Sequence, residues 1–265
     1  MKLGVNIDHI AVLREARRVN DPDIMQALYV AIESGADQIT IHLREDRRHI
    51  QDVDAQNIIM HSKVPVNLEC SINKEILNIT AKLKPHRATL VPEKREEVTT
   101  EGGLDVFKYE DEISYAIELL HDFSIPVSLF VDPSIEAMDK SKELGAEMVE
   151  LHTGTFANLY AMLYSSLSYS NHSIKEFELP RHELETRLEE SLEDIKNAAT
   201  HAHSLGLEVA AGHGLNYQNV SQMMGIKEII ELNIGQSIIA RSVFTGLEEA
   251  VKEMKRLIIL HPTHP

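Results

Sequence analysis

Short apolar runs alternate with amphipathic stretches along the whole chain. Runs rich in valine, isoleucine and leucine predict strands, and the apolar periodicity of most segments between them indicates helices. About eight strands, each followed by a helix, in a chain of 265 residues predict an α/β protein with the (β/α)8 TIM-barrel architecture. The predicted strands are Leu3–Ile7, Ile39–Leu43, Val64–Leu68, Ala88–Val91, Pro126–Val131, Met148–Leu151, Leu207–Ala211 and Ile229–Ile234.

A doubly wound open sheet would show the same alternation of strands and helices. That fold usually carries a glycine-rich sequence after its first strand. The corresponding sequence here, GVNIDH, is not of that type. The barrel is therefore the favoured architecture.

The first and last helices have visible boundaries in the sequence. Asp21-Pro22 predicts an N-cap followed by proline at the first helical position, and Gly35 predicts the end of that helix. The last helix is predicted to follow Gly246. Its apolar face consists of Leu247, Val251, Met254 and Ile258.

Two regions depart from the regular alternation. The polar segment 92–105 contains paired glycines and predicts either a mobile loop over a site or a solvated surface loop. The segment 155–180 is a long insertion after the sixth strand, so 155–190 is expected to hold extra helices and an extended helix. We expect these helices to pack on the outside of the barrel or at subunit interfaces. No domain boundary is evident, and 1–265 is expected to be one barrel domain.

Polar side chains concentrate at the carboxyl ends of the predicted strands. Strand residues alternate between the barrel interior and the surrounding helices, and the outward set is apolar, as at Val66 and Leu68. Several carboxylates and imidazoles at the mouth where barrel enzymes hold their active sites indicate acid–base catalysis, whereas one such residue alone would indicate core structure. The inward polar set is Asn6, Asp8, His42, Asn67, Glu69, Ser128, Asp132, Glu150, His152, His213 and Asn233.

Glycines and arginines near the strand ends indicate phosphate binding. AGHGLN follows the seventh strand and Gly235 follows the eighth, where barrels usually bind phosphate through backbone N–H groups and a helix N-terminus. The second strand ends in HLREDRRHI, which concentrates three arginines although the formal net charge of the chain is −16. We interpret this run as a small-anion site, because nucleic-acid binding or adhesion to an anionic membrane needs an extended basic surface.

A metal centre is the competing kind of site. His42, Glu69, Glu150, His152 and His213 could supply ligands, but the chain has no HExxH motif and no Cys/His spacing of a zinc site. We therefore expect no metal. A metal-dependent barrel hydrolase that acts on a phosphate ester stays the alternative function, and a non-catalytic phosphate sensor is a further one.

The compartment is suggested by cysteine content and hydropathy. The single cysteine, Cys70, excludes an intramolecular disulfide and is expected to be a small buried hydrophobe. No apolar run approaches the roughly 20 residues that span a bilayer. Asp8 and His9 interrupt the segment that a signal peptide would need. The expected location is the cytoplasm.

Seven segments together resemble the pyridoxine 5'-phosphate synthase family of vitamin B6 biosynthesis. In chain order they are VNIDHIAVLREARR, HLREDRRHI, VNLE, LVPEKREEVTTEGGLDV, ELHTG, AGHGLN and ELNIGQSIIARSVFTGLEEAVKEMKRL. They span nearly the whole chain, and the second and fourth contain highly specific strings. The insertion at 155–180 is longer than the family pattern and leaves these motifs intact.

The resemblance implies a barrel enzyme that joins 1-deoxy-D-xylulose 5-phosphate to 3-amino-2-oxopropyl phosphate. The implied products are pyridoxine 5'-phosphate, inorganic phosphate and water. It also implies that no metal or organic cofactor takes part and that the protein forms a homo-octamer, a tetramer of dimers.

The resemblance further implies a role for individual residues. Proton transfer is implied for His42, Glu69 and His213, and support of the transition state for Glu150. The amino-ketone phosphate is assigned to Asn6, Arg17, Gly214, Gly235 and Gln236. The xylulose phosphate is assigned to Asp8, His9, Arg44, His49 and Thr99.

Overall fold

Eight parallel strands close into a barrel in the computed structural model, which describes residues 1–93 and 102–259. The strands follow one another in chain order around the barrel, and the last pairs with the first. The predicted (β/α)8 barrel is therefore confirmed. The strands are β1 (Lys2–Asn6), β2 (Gln38–His42), β3 (Val66–Cys70), β4 (Arg87–Leu90), β5 (Val127–Val131), β6 (Met148–His152), β7 (Glu208–Gly212) and β8 (Ile229–Ile234).

Helices surround this barrel, and most of them connect consecutive strands. They are α1 (Asp8–Glu15), α2 (Ile24–Glu33), α3 (Asp52–His61), α4 (Lys74–Leu83), α5 (Glu110–Asp122), α6 (Ile135–Glu143), α7 (Gly154–Tyr164), α8 (Arg181–Ser204), α9 (Gln236–Thr245) and α10 (Leu247–Ile259). Short 3-10 helices cover Leu167–Tyr169, Lys175–Phe177 and Val220–Gly225.

The main core lies between the barrel and the helical layer. Outward-facing strand residues such as Val5, Leu68 and Leu232 are completely buried there. Burying one side chain of this kind stabilises the fold by about 1.5–3 kcal/mol. Cys70 is also completely buried, as expected, and burial raises the pKa of its thiol to about 12. The strand alternation thus directs apolar residues outward and leaves the barrel interior to polar ones.

The start of α2 differs from the prediction. Asp23 is the N-cap, and its side chain accepts a hydrogen bond from the backbone N–H of Met25 at 2.8 Å. The prediction of Asp21-Pro22 as cap and first helical residue was wrong, because the carboxylate that reaches a free N–H of the first turn is that of Asp23. The first residue of α10, Leu247, follows Gly246 as predicted.

The sixth unit contains the insertion and the longest helix described. A separate apolar cluster of Leu159, Met162 and Leu184 joins α7 to α8, and Phe177 packs against it. Along the rest of its length α8 packs against α6, β6 and β7. The insertion is thereby fixed to the outer layer of the sixth and seventh units.

Candidate active site

One cavity of about 380 Å³ opens at the carboxyl ends of the strands. Strands β1, β2, β3, β6 and β8 each contribute a polar side chain to it, because parallel strands of a barrel end at the same face. The described residues 155–204 contribute none to its lining. The predicted site residues that line it are Asn6, Asp8, His9, His42, Arg44, His49, Glu69, Glu150, His213, Gly214, Gly235 and Gln236.

Two predicted site residues are not among those that line the cavity. Arg17 lies two residues beyond the end of α1 at Glu15 and is exposed. The single chain therefore does not bring Arg17 to the lining of the cavity, where the prediction had placed it. Thr99 lies outside the described residues, as does most of the polar segment 92–105.

His42 stands between two carboxylates at the end of β2. Its Nδ1 lies 4.0 Å from an oxygen of Glu69, and its Nε2 lies 3.2 Å from an oxygen of Glu93. The backbone N–H of His42 donates to Asp8 at 3.0 Å, which ties the end of β2 to the start of α1. An imidazole with a carboxylate at each nitrogen can accept a proton on one side and release one on the other.

Glu93 contacts His42 but was not among the predicted site residues. Only 7% of its side chain is exposed, and its carboxylate accepts a hydrogen bond from the backbone N–H of Glu45 at 3.1 Å. An Nη2 atom of Arg44 lies 3.9 Å away. The carboxylate thus occupies a position bordered by a guanidinium, a backbone N–H and the imidazole of His42. Its place just after β4, in the string VPEK, is the signal that could have indicated it.

Arg44 and His49 are both buried beside the cavity, 4% and 3% exposed, and side chains of these types can bind anions. The backbone N–H of Ile50 donates to His49 Nδ1 at 2.8 Å, so that nitrogen carries no proton and Nε2 is the donor. Arg14 donates to both carboxylate oxygens of Asp54, at 2.9 and 2.7 Å, and to the carbonyl of His49 at 3.1 Å. These bonds hold the segment after β2 against α1 and α3.

Other charges of this segment form ion pairs. Arg47 pairs with Asp52 at 2.8 Å and with Glu75 at 3.0 Å. Arg48 pairs with Asp46 at 2.6 Å, and this contact is the main cause that lowers the pKa of Asp46 to about 2. The dense charge run of HLREDRRHI is therefore largely a set of ion pairs that shapes the loop beside Arg44.

Glu150 lies deeper in the barrel, on β6, and is 3% exposed. Its Oε2 accepts a hydrogen bond from the side-chain amide of Asn233 at 2.8 Å. Burial raises the pKa of Glu150 to about 7, while the Asn233 hydrogen bond and the charge of Arg87 act in the opposite direction. A carboxyl group with a pKa near neutrality can hold or release a proton during catalysis.

Beside β7 and β8, other residues approach the backbone of two glycines too closely to leave room for a side chain. A Cβ at Gly212 would lie 2.3 Å from an oxygen of Glu150, and one at Gly235 would lie 2.9 Å from the Cβ of Asn6. Both positions therefore require glycine. Helix α9 begins at Gln236, and its first residues line the cavity. Free N–H groups of such a helix start attract phosphate or carboxylate groups.

Two imidazoles meet at the rim of the cavity beside β6 and β7. His213 follows β7 directly, and its ring centroid lies 5.0 Å from that of His152 at the end of β6. His152 Nδ1 lies 2.9 Å from Asp132 Oδ1. Strand parity placed His152 and Asp132 on the inward face, but neither was among the predicted catalytic or substrate-binding residues. The contact between them joins two different strands and is visible only in the fold.

The described residues were also compared with the requirements of a metal site and of a membrane-spanning helix. No three His, Cys, Asp or Glu side chains among them are grouped so that they could hold a metal ion. Within the same part of the chain, no helix is both long enough and apolar enough to cross a membrane.

A closed barrel whose strand ends bring carboxyl groups, imidazoles and a buried arginine to one cavity defines a (β/α)8-barrel enzyme. The chain belongs to the family described as pyridoxal phosphate biosynthesis protein PdxJ, whose model matches residues 3–259. The family expected from the sequence motifs is thereby confirmed.

Individual relatives agree with this assignment. The chain is 77% identical over 257 residues to pyridoxine 5'-phosphate synthase of Sulfurimonas denitrificans, covering 97% of this chain and 99% of the relative. It is 64% identical over 258 residues to the enzyme of the same name from Nitratiruptor sp., covering 97% of each. The structure of thiamine phosphate pyrophosphorylase from Pyrococcus furiosus is similar in fold alone, with a TM-score of 0.55 and 12% identity over 97% of this chain and 95% of that one.

Proposed function

We propose that this chain is a pyridoxine 5'-phosphate synthase. It condenses 3-amino-2-oxopropyl phosphate with 1-deoxy-D-xylulose 5-phosphate to form pyridoxine 5'-phosphate, inorganic phosphate and water. The observation that carries the proposal is the convergence of His42, Glu69, Glu150 and His213 on one cavity in a chain of this family. Imine formation, dehydration and phosphate loss each move a proton, and four acid–base groups at one mouth suit that sequence of steps.

The proposed catalytic roles divide the cavity into two sides. On one side, His42 and Glu69 exchange protons with a reacting carbon or oxygen held near both, supported by the 4.0 Å separation of the two groups. Glu150, protonated near neutral pH, donates to an oxygen that gains negative charge in the transition state. His213 transfers protons from the rim beside β6 and β7. No metal or organic cofactor is part of this reaction.

The two phosphate esters need two anion sites. In the proposal the amino-ketone phosphate binds the backbone of Gly214 and Gly235. The side chains of Asn6, Arg17 and Gln236 complete this site. The xylulose phosphate binds Asp8, His9, Arg44, His49 and Thr99. The buried position of Arg44 and the Nε2–H tautomer of His49 support the second site. For Arg17 and Thr99 the support is the sequence resemblance alone.

The alternative function, a metal-dependent barrel phosphoesterase, gains no support from the family or from the named relatives. One assay separates the two functions. Purified protein receives both phosphates in the presence of a chelator, and phosphate release and product mass are measured. Product formation that needs both substrates and persists with chelator supports the synthase. Phosphate release from one substrate alone, abolished by the chelator, would support the hydrolase instead.

Glu69→Gln tests the proton-transfer chemistry directly. We expect kcat to fall by about 10²–10⁴-fold with the melting temperature unchanged, because the amide keeps the shape and loses the basic oxygen. Glu189→Gln, an exposed position on α8, is the matched control and should retain full activity. Near-normal turnover of Glu69→Gln would contradict the role assigned to Glu69.

We also propose that the chain is one barrel domain and acts in the cytoplasm as a homo-octamer, a tetramer of dimers. Leu13 on α1 and Phe244 on α9 are 49% and 88% exposed, and the two helices are in contact. Exposed apolar side chains on neighbouring helices are typical of surfaces that associate. Light scattering after size-exclusion chromatography measures the mass, and a monomer at working concentrations would contradict the assembly.

A further inference from the structure

His152 separates two cavities. It lines the main cavity and also a second one of about 330 Å³, which the insertion and α8 help to enclose. Asp132 lines this second cavity and contacts His152 across β5 and β6. We propose that His152, supported by Asp132, accepts the proton that His213 carries in the main cavity. These two residues are called the Asp132–His152 pair. The inference rests on the proposed function, in which His213 transfers protons to the substrates.

The carboxylate determines which nitrogen of His152 carries the proton. A carboxylate accepts and does not donate, so the Nδ1 that lies 2.9 Å from Asp132 is the N–H and Nε2 holds the lone pair. The backbone N–H of Gly103 donates to the same Asp132 oxygen at 2.9 Å and keeps it in place. The side chain of His152 is 4% exposed, so this tautomer is protected from exchange with water at the ring.

Nε2 of His152 is buried and has no hydrogen-bond partner among the described residues. Buried polar atoms nearly always have one, so an orphan nitrogen beside a reaction site calls for a functional reason. The position that a Cβ of Gly154 would take lies 2.4 Å from this Nε2 and 3.2 Å from Cδ2 of His213. Glycine at 154 therefore allows the two imidazole edges to come together over its backbone.

One proton moves in the proposed step. A half-turn of the His213 ring exchanges the positions of Cδ2 and Nδ1 and presents an N–H to His152 Nε2. The proton passes to Nε2, the positive charge moves with it, and no other bond changes. The new imidazolium keeps its Nδ1–H toward Asp132, whose negative charge stabilises it. His213 is then neutral and can take the next proton from the substrate.

The surroundings of His152 include acidic groups and no charged side chain from α7. Helix α7, which packs against its ring, carries no charged side chain along its described length. The side chain of Asp132 lines the second cavity and is 60% exposed, so the carboxylate that stabilises the imidazolium also faces solvent there. The titratable groups around the pair are Glu150 and His213 at the main cavity and Glu176 and Asp194 at the second cavity.

Two substitutions test the relay. His152→Asn keeps an amide N–H toward Asp132 and removes the acceptor nitrogen, and Asp132→Asn removes the charge that selects the tautomer. We expect kcat of each to fall by about 10²-fold at neutral pH, with KM for both phosphates changed by less than about twofold. Protons of His213 must then go to the buffer, so kcat of the variants rises with imidazole-buffer concentration, whereas that of the wild type does not.

The control is a His–Asp pair outside the cavities. His201 on α8 lies 2.7 Å from Asp139, and His201→Asn should leave kcat unchanged and independent of buffer. A His152→Asn variant with wild-type kcat would overturn the relay. So would a low kcat that imidazole buffer does not raise, because that result describes a packing role.

An NMR measurement on the intact protein does not depend on turnover. With ¹⁵N-labelled histidine we expect His152 as the Nδ1–H tautomer, with an Nε2 resonance that shifts as His213 titrates. An Nε2–H tautomer would overturn the relay even if the wild type is fully active. Wild-type protein that makes no product would contradict the proposed function, and the tautomer of His152 would still decide the relay.

Discussion

At the scale of single residues, the role open to each histidine depends on which ring nitrogen is already engaged. His49 uses Nδ1 as an acceptor for a backbone N–H, so it can offer only a donor to an anion while neutral. His42 has a carboxylate near each nitrogen, so its proton can move in either direction. Three side chains of one type thus differ in chemistry, since His152 is held as an Nδ1–H donor.

Glu150 gives a prediction for the pH dependence of stability. Its pKa in the folded protein is about 7, above the value of 4.5 for an unperturbed glutamate. The folded state therefore binds an extra proton between these values, and its free energy of unfolding falls as pH rises from 4.5 to about 7. Glu150→Gln resembles the protonated form and keeps an acceptor for Asn233. We expect the variant to be more stable than the wild type at pH 8, by about 1–3 kcal/mol.

Thermal or urea unfolding at two pH values measures this difference. The advantage of Glu150→Gln should largely disappear at pH 5, where the wild-type carboxyl is already protonated. Glu143→Gln, on the surface at the end of α6, is the control and should show no such dependence. A Glu150→Gln protein that is less stable than the wild type at pH 8 would show that burial does not govern this carboxyl.

Glu93 gives a second prediction at this scale. Its carboxylate lies 3.9 Å from Arg44 and 3.2 Å from His42. It therefore occupies space beside two groups that could also bind a phosphate. A bound phosphate must share these donors with it or displace it. Glu93→Gln removes the negative charge, and we expect inorganic phosphate to bind at least about fivefold more tightly, since a unit charge at this distance contributes ~1 kcal/mol even in water. Isothermal titration calorimetry measures the Kd, and an unchanged value would place the phosphate elsewhere.

At the scale of elements, the start of α2 can be tested by its cap. Asp23→Ala removes the acceptor for the N–H of Met25 and should destabilise the protein by about 1 kcal/mol. Asp21→Ala is the matched control, because Asp21 is also exposed and lies two residues before the cap. Its free energy of unfolding should stay within about 0.5 kcal/mol of the wild type. Equal losses in both variants would restore the capping role predicted for Asp21.

Alternation and periodicity predicted the strands and the long amphipathic helices because those patterns are local. The same patterns could not show α1, whose exposed Val12 and Leu13 leave no clean apolar face. Strand parity likewise brought His42, Glu69 and Glu150 to one cavity. Contacts that depend on two separate elements, such as Glu93 with His42, need the closed barrel before they can be seen.

At the scale of the whole molecule, the interior of the barrel is polar below the reaction site. Arg87 on β4 forms an ion pair with Glu231 on β8 and donates to Gln38 on β2 at 3.1 Å. Gln38 in turn donates to Glu231 at 2.9 Å. Three strands that are not neighbours are thereby joined across the barrel. The charges of Arg87 and Glu231 also act on the pKa of Glu150, so this network influences the carboxyl group that we propose donates to the transition state.

Removal of one partner of this pair should cost much more than removal of both. Arg87→Met leaves Glu231, whose side chain is 3% exposed, as an uncompensated buried charge, and we expect a loss of about 3–5 kcal/mol. The double variant Arg87→Met/Glu231→Leu should recover most of that stability, because neither charge remains to be desolvated. Arg181→Met breaks an exposed pair with Glu185 on α8 and should cost less than about 1 kcal/mol. Urea unfolding of the wild type and these three variants measures the differences, and a double variant as unstable as Arg87→Met would mean that the network stabilises the barrel by its shape and not by its charge.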